Sequence, residues 1–184
     1  MALSTYVALL RGINVGGNNV IPMKALKVTF EELKLTNVKT YIASGNVLFQ
    51  CAPVDCRKLE KKIEGALRNA HAYDARVVLK TKDELLSIAH AMPRAWKKQD
   101  PAVRYNVCFL RHEIDDPKIL EELSPKKGIE QLSYTPGALF WSAHRDDLTR
   151  TAMVKLSSHR LYKDMTVRNA NTARKLAELL QQLS

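Results

Sequence analysis

The chain has 184 residues, of which 46% are hydrophobic, and this is enough apolar material for one or two folded cores. Its 29 Lys and Arg outnumber 19 Asp and Glu, giving a net charge of +10, which favours acidic partners such as nucleic acid, nucleotides, anionic lipids or acidic proteins. No apolar run approaches the roughly 20 residues of a membrane-spanning helix, and the three cysteines form no C-x-x-C pair. We therefore expect a cytoplasmic protein in a reducing compartment, without membrane association.

The first part of the chain alternates strand and helix patterns in the order βαββαβ. In chain order the patterns predict a strand at 4–11, a helix at 22–35, strands at 38–43 and 47–51, a helix capped by Asp55 that runs to about 70, and a strand at 76–81. Pro22 suits the first helical position, and Ser44-Gly45-Asn46 has the composition of a hairpin turn. This order is typical of a split βαβ, or ferredoxin-like, unit.

The same order recurs after a short helix at 82–91 and a proline-bounded segment at 93–101. The patterns predict a strand at 104–111, a helix at 117–123, hairpin strands at 129–134 and 139–142, a helical segment at 148–159, a strand at 165–168 and a helix at 171–183. We therefore predict an α+β protein of two tandem ferredoxin-like (βαββαβ) halves, at 1–81 and 103–184. A helix and linker at 82–102 join them, and the second half carries an extra C-terminal helix.

Side chains of both parities are apolar in the strands Tyr6-Val7-Ala8-Leu9-Leu10 and Val47-Leu48-Phe49. Both faces of the first sheet should therefore be covered. An RNA-recognition motif instead stacks bases on exposed aromatic residues of an open sheet. The strand composition argues against that kind of nucleic-acid surface.

The richest motif is the loop after the first strand, Arg11-Gly12-Ile13-Asn14-Val15-Gly16-Gly17. Glycines let backbone N–H groups approach an anion closely, and Arg11 adds a charged donor. In a split βαβ unit this loop, the Ser44-Gly45-Asn46 hairpin and the turn at 69–74 lie at one sheet edge. The candidate ligand-binding residues at this edge are Arg11, Gly12, Asn14, Gly16, Gly17, Ser44 and Asn46. The alternative is a structural loop in which Arg11 pairs with a carboxylate.

A second candidate is the strand end and helix start around Arg168-Asn169-Ala170-Asn171. Arg168, Asn169 and Asn171 lie where a helix N-terminus can bind an anion, although helix capping alone also explains the asparagines. The surrounding stretch 145–175 contains eight Lys and Arg against three Asp. It is the best polynucleotide-binding patch in the sequence, or else a solvated basic face.

Other kinds of site find little support in the sequence. Residues 12–17 have the glycine spacing of a Walker A loop, but Asn18 and Asn19 stand where Lys and Ser/Thr would bind phosphate and magnesium. The five histidines show no H-x-x-x-H spacing, so we expect no metal site and no cofactor. No catalytic residue is assigned.

The run from Ala8 to Gly17, "ALLRGINVGG", resembles the opening of an uncharacterised bacterial family known only as a domain of unknown function. Pro22-Met23, Tyr41-Ile42, Ser44-Gly45-Asn46-Val47, Arg168-Asn169 and Asn171-Thr172 extend the resemblance over nearly the whole chain. It implies a fold of two ferredoxin-like halves and no established activity.

Three functional hypotheses follow from these residues. The first is a non-catalytic protein that binds a phosphate-bearing ligand, nucleotide or nucleic acid, at the loop after the first strand. The second is an enzyme acting on a small anionic substrate that Ser44, Asn14 or Asn46 orients at the same loop. The third is a protein-interaction module that uses the basic C-terminal half.

Overall fold

The structure, a computed structural model, describes residues 3–14 and 20–183. The chain divides into two units: one contains the described residues up to Leu85 together with those from Leu176 onward, and the other runs from Leu86 to Lys175. Each unit is built on a four-stranded antiparallel sheet. The protein is therefore a mixed α+β structure with a helix at its C-terminal end.

The first unit follows the predicted order of elements. Its elements are β1 (Ser4–Arg11), α1 (Met23–Glu32), β2 (Thr36–Tyr41), β3 (Asn46–Cys51), α2 (Cys56–His71) and β4 (Arg76–Thr81), followed by the start of α3 (Lys82–Ala91). The strand order is β2-β3-β1-β4. β1 is antiparallel to both β3 and β4, and β2 is antiparallel to β3, so β1 and β2 run in the same direction.

Burial on both faces confirms the expectation drawn from strand composition. Residues 5–10 of β1 are all buried. On one face Tyr6 stacks on Phe49 at 5.7 Å between ring centroids, and Phe30 of α1 packs on Phe49 at 5.6 Å. On β3, the buried Gln50 donates from Nε2 to Thr5 Oγ1 at 3.1 Å and to the carbonyl of Leu183 at 2.5 Å. The backbone of Leu183 is thus bonded to the sheet of the first unit.

The outer edge of β4 is closed by two buried glutamates of α2. Glu60 Oε1 accepts the backbone N–H of Leu79 at 2.9 Å, and Glu64 Oε1 accepts that of Val77 at 3.0 Å. An exposed edge strand would offer these donors to another chain. α2 begins where Asp55 accepts the Lys58 N–H at 3.0 Å, which confirms the predicted cap.

The second unit has the corresponding strand order, β6-β7-β5-β8. Its elements are the rest of α3, β5 (Val103–Leu110), α4 (Ile119–Leu123), β6 (Glu130–Thr135), β7 (Ala138–His144), β8 (Met165–Asn169) and the first part of α5 (Ala170–Gln181). α5 contributes its residues from Leu176 onward to the first unit. None of the helices in the described ranges is long and apolar enough to cross a membrane.

The prediction of a single helical segment at 148–159 is wrong. Three 3₁₀ segments, Arg145–Arg150, Ala152–Ser158 and Arg160–Asp164, connect β7 to β8 instead. Extended backbone at Thr151 and His159 separates them. The Thr151 hydroxyl donates to the carbonyl of Leu148 at 2.8 Å, and the His159 ring accepts the N–H of Leu161 at 3.3 Å. Side chains that bond to nearby backbone in this way compete with a continuous α-helix.

Substitution of the hairpin glycine Gly45 tests how closely the hairpin packs against the end of β1. Its φ is +73°, and an added Cβ would lie 2.3 Å from Ile13 Cγ2 and 2.9 Å from Leu10 Cβ. We expect Gly45→Ala to lower the free energy of unfolding by about 2–5 kcal/mol, since overpacking adds to left-handed strain. Urea denaturation measures this change.

Gly128→Ala is the matched control for this substitution. Gly128 has φ +78° with nothing within 4 Å of an added Cβ, so only the backbone cost of about 1–2 kcal/mol applies. Equal losses in the two variants would contradict the close packing of the hairpin against residues 10–13.

Candidate anion-binding site

Three loops meet where β1 ends, as the predicted topology requires. The N–H of Leu10 donates to the carbonyl of Gly45 at 2.8 Å. The side chain of Ile13 lies against Gly45, which has no room for a Cβ. The hydroxyl of Tyr73, in the turn before β4, donates to the carbonyl of Arg11. The predicted proximity of this loop to the hairpin and to the turn at 69–74 is therefore confirmed for residues 12–14.

Asn14 holds two of these loops together through its side-chain amide. Its Nδ2 donates to the carbonyls of Ile21, at 3.1 Å, and Ala43, at 2.8 Å, while its Oδ1 accepts the N–H of Ile21 at 2.8 Å. Its φ of 54° lies in the left-handed region that asparagine tolerates better than most residues. The amide is thus occupied by backbone groups.

Asn46 and Ser44 shape the hairpin from inside. Asn46 is fully buried, and its Nδ2 donates to the carbonyl of Tyr41 and to Ser44 Oγ, both at 3.0 Å. Ser44 is half-buried at the turn. The Asn46 amide therefore fixes the hairpin conformation.

Arg11 is one of the charged residues at this edge. It is half-buried, and in the β1–β4 register it stands directly opposite Arg76, whose side chain is 46% exposed. Burial raises the pKa of the neighbouring Tyr73 hydroxyl, and the charge of Arg11 acts in the opposite direction. Gly12 is exposed, with φ +71°, and an added Cβ would lie 3.3 Å from the Tyr73 hydroxyl.

Arg11 and Gly12 are candidates from the sequence, whereas Tyr73 and Arg76 join this edge only in the structure. The signal for Tyr73 was the position of its turn at the shared edge, and Arg76 follows from pairing β4 with β1. Gly16 and Gly17 lie outside the described residues.

The second predicted cluster lies in the second unit, and its side chains are used internally. Arg168 is buried, and its Nη1 donates to Thr166 Oγ1 at 2.8 Å and to the Val167 carbonyl at 2.9 Å. Burial lowers the pKa of Arg168 to about 10. Asn169 Oδ1 accepts the N–H of Asn171 at 2.9 Å. Arg168 therefore does not present its guanidinium to solvent, and Asn169 acts as a helix cap.

Asn171 also bonds to other residues of the protein, and so do four further arginines of the basic stretch. Asn171 Nδ2 donates to Gln99 Oε1 at 2.9 Å, and its Oδ1 accepts from Arg174 Nη1 at 3.0 Å. Arg174 also donates to the carbonyl of Trp96 at 2.8 Å. The remaining contacts of this kind are Arg145 with the carbonyl of Pro101, Arg150 with Asp147, and Arg160 with Glu122. Much of the positive charge at 145–175 is thus tied to the fold.

Comparison with known proteins places the chain in a family without a known activity. A family model described as "Protein of unknown function (DUF1697)" matches residues 3–140. The chain belongs to this family. A search of curated proteins gave no match.

Two solved structures are similar to this DUF1697 member to different degrees. The structure of the conserved bacterial protein SP0830 from Streptococcus pneumoniae is 26% identical, with a TM-score of 0.83 and coverage of 97% of this chain and 99% of that one. An unknown protein from Galdieria sulphuraria is 10% identical, with a TM-score of 0.27 and coverage of 97% and 93%. The first likeness supports the fold described above.

The role of Asn14 can be separated from that of another asparagine with left-handed backbone, Asn37 of β2. Asn14→Ala removes three hydrogen bonds and leaves alanine in the left-handed region, so we expect a loss of about 2–4 kcal/mol in the free energy of unfolding. The control is Asn37→Ala, because Asn37 has φ 50° and one side-chain hydrogen bond, to Gln50. Urea unfolding should show a loss of about 1–2 kcal/mol for this control. A smaller loss at Asn14 than at Asn37 would show that Asn14 does not hold the loops together.

Proposed function

We propose that this protein binds a phosphate-bearing ligand, a nucleotide or a nucleic acid, at the sheet edge where β1 ends. The Arg11 guanidinium is the charged donor, and backbone N–H groups of the following loop complete the site. Glycine-rich backbone and a neighbouring arginine form the usual chemistry of phosphate recognition.

The observation that carries the proposal is the register of β1 and β4. Arg11 and Arg76 are direct cross-strand partners, and like charges in that position destabilise a sheet. The carboxylate of Glu64 lies 4.0 Å from Arg76, at the limit of an ion pair. An anion at this edge of the sheet would be attracted by both positively charged residues.

Binding without catalysis fits the described side chains better than an enzyme does. The amides of Asn14 and Asn46, which would orient a substrate, are bonded to backbone and to Ser44. Asp74, the carboxylate of the neighbouring turn, lies 2.6 Å from Arg68, and this contact lowers its pKa. A carboxylate held ionised in this way is a weak base at neutral pH.

We also propose that both halves are ferredoxin-like units and that the protein is cytoplasmic. The orders β2-β3-β1-β4 and β6-β7-β5-β8 support the first statement, since each sheet places its first and third strands side by side at its centre. The free cysteines Cys51, Cys56 and Cys108 support the second.

Arginine substitution tests the site directly. Isothermal titration calorimetry at low salt compares inorganic phosphate, AMP and a single-stranded oligonucleotide on the wild type and on Arg11→Ala. We expect the variant to bind the best of these probes roughly tenfold or more weakly, because a hydrogen bond to a charged group is lost. Its free energy of unfolding should change by only about 0–1 kcal/mol.

Arg57→Ala is the matched control, since Arg57 is exposed and lies in the first turn of α2. Equal weakening in both variants would mean that net charge alone attracts the anion.

If the oligonucleotide binds, its affinity should fall with salt by about 0.7–0.9 log units per log unit of salt concentration for each phosphate contacted. Absence of binding by all three probes at low salt would overturn the proposal.

A further inference from the structure

The second unit contains a cavity of about 480 Å³ between one face of its sheet and the 3₁₀ segments. Side chains of β5, β7 and β8 form its floor, and residues of the segments Arg145–Arg150, Ala152–Ser158 and Arg160–Asp164 form its walls. Small-molecule sites have volumes of roughly 300–1,000 Å³. The cavity is therefore large enough for a compact organic ligand.

The cavity arises from the way β7 connects to β8. The corresponding connection of the first unit is α2, whose Leu59, Ile63 and Leu67 are buried in the core. In the second unit the 3₁₀ segments replace that helix. Glu130 anchors them at a fixed position, because its Oε1 accepts the N–H of Ala152 at 2.6 Å.

The floor of the cavity is a row of three side chains across three strands. Asn106 of β5 stands opposite Trp141 of β7 on one side and Asn169 of β8 on the other. All three line the cavity. Trp141 is held in place because its Nε1 donates to Glu130 Oε2 at 2.7 Å. The ring of Trp141, a residue that is 4% exposed, and two carboxamides thus lie side by side.

The carboxamides keep hydrogen-bonding capacity for a ligand. Within the described ranges, the Asn106 side chain has no hydrogen bond, and Asn169 uses only its Oδ1, as acceptor for the Asn171 N–H. A half-buried, unbonded amide is costly unless water or a ligand binds it. Carboxamides pair well with planar groups that offer a donor beside an acceptor.

A cation stands at the open end of this row. Arg104 lies two residues before Asn106 on β5, and therefore on the same sheet face, and it lines the cavity. It is exposed and makes no ion pair or hydrogen bond through its side chain with any residue of the described part. Its planar guanidinium is suited to bidentate contact with phosphate.

We propose that this cavity binds a nucleoside monophosphate. The base lies against Trp141 and bonds to Asn106 and Asn169, and the phosphate pairs with Arg104 at the opening. The apolar walls, with Leu148 and Met153, exclude water from the base. This site is independent of the one proposed at Arg11, and neither proposal requires the other.

The test uses the four nucleoside 5′-monophosphates, the parent nucleosides and inorganic phosphate as probes, with affinities from calorimetry. At least one monophosphate should bind more tightly than both its nucleoside and inorganic phosphate. It should quench the tryptophan fluorescence of the wild type, and Trp141→Phe should abolish that quenching, since Trp96 is the other tryptophan in the chain.

The variants Arg104→Ala and Asn106→Ala should each weaken binding by roughly tenfold. Arg94→Ala is the matched control, because Arg94 is exposed and does not line the cavity. Equal affinity for nucleoside and nucleotide would overturn the role of Arg104, and equal affinity for phosphate and nucleotide would overturn the base site. Binding that is lost in Arg11→Ala but retained in Arg104→Ala would overturn the cavity site and leave the site at β1 standing.

Discussion

The burial of β1 on both faces and at both edges is the constraint on which the first unit depends. Residues 5–10 are buried without exception, and β1 pairs with β3 on one side and with β4 on the other. A strand in this position has no exposed face on which to carry polar chemistry. The last residue of β1 is the charged Arg11. There the chain leaves the sheet and contacts two other loops.

In the loops at this end of β1, several polar side chains form hydrogen bonds within the protein, and others are exposed to solvent. The side-chain amides of Asn14 and Asn46 donate hydrogen bonds to backbone carbonyls. The Tyr73 hydroxyl donates to the carbonyl of Arg11. These bonds fix the positions of the loops around the two opposed arginines. This is the edge of the sheet at which we propose that an anion binds.

The positive charge of the protein has two different roles. Arg168 and Arg174 donate to protein oxygens within the second unit and stabilise its fold. Arg104 makes no such contact in the described residues and lines a cavity, and Arg76 is close to half exposed. A count of basic residues along the sequence does not separate these roles, because the partner of each guanidinium is distant in the chain.

The sequence predicted the strands, the order of elements and the meeting of the three loops, since each follows from hydrophobic period and topology. It did not predict the bonds of Asn14, because its partner Ala43 lies 29 residues away. It placed a helix at 148–159, where local side-chain bonds of Thr151 and His159 interrupt the backbone.

The sequence also did not predict that Trp141, Asn106 and Asn169 lie side by side. These residues become neighbours only through the register of β5 with β7 and β8. Periodicity along one strand gives the face of a residue but not its partner across the sheet.

The most direct test of the central claim, that the end of β1 is an anion site, is a ¹H–¹⁵N NMR titration with inorganic phosphate at low salt. We expect saturable shifts that are largest at the amides of Gly12, Gly45 and Asp74 and at the side chain of Arg11. Small, non-saturating shifts spread over the exposed lysines and arginines would contradict it.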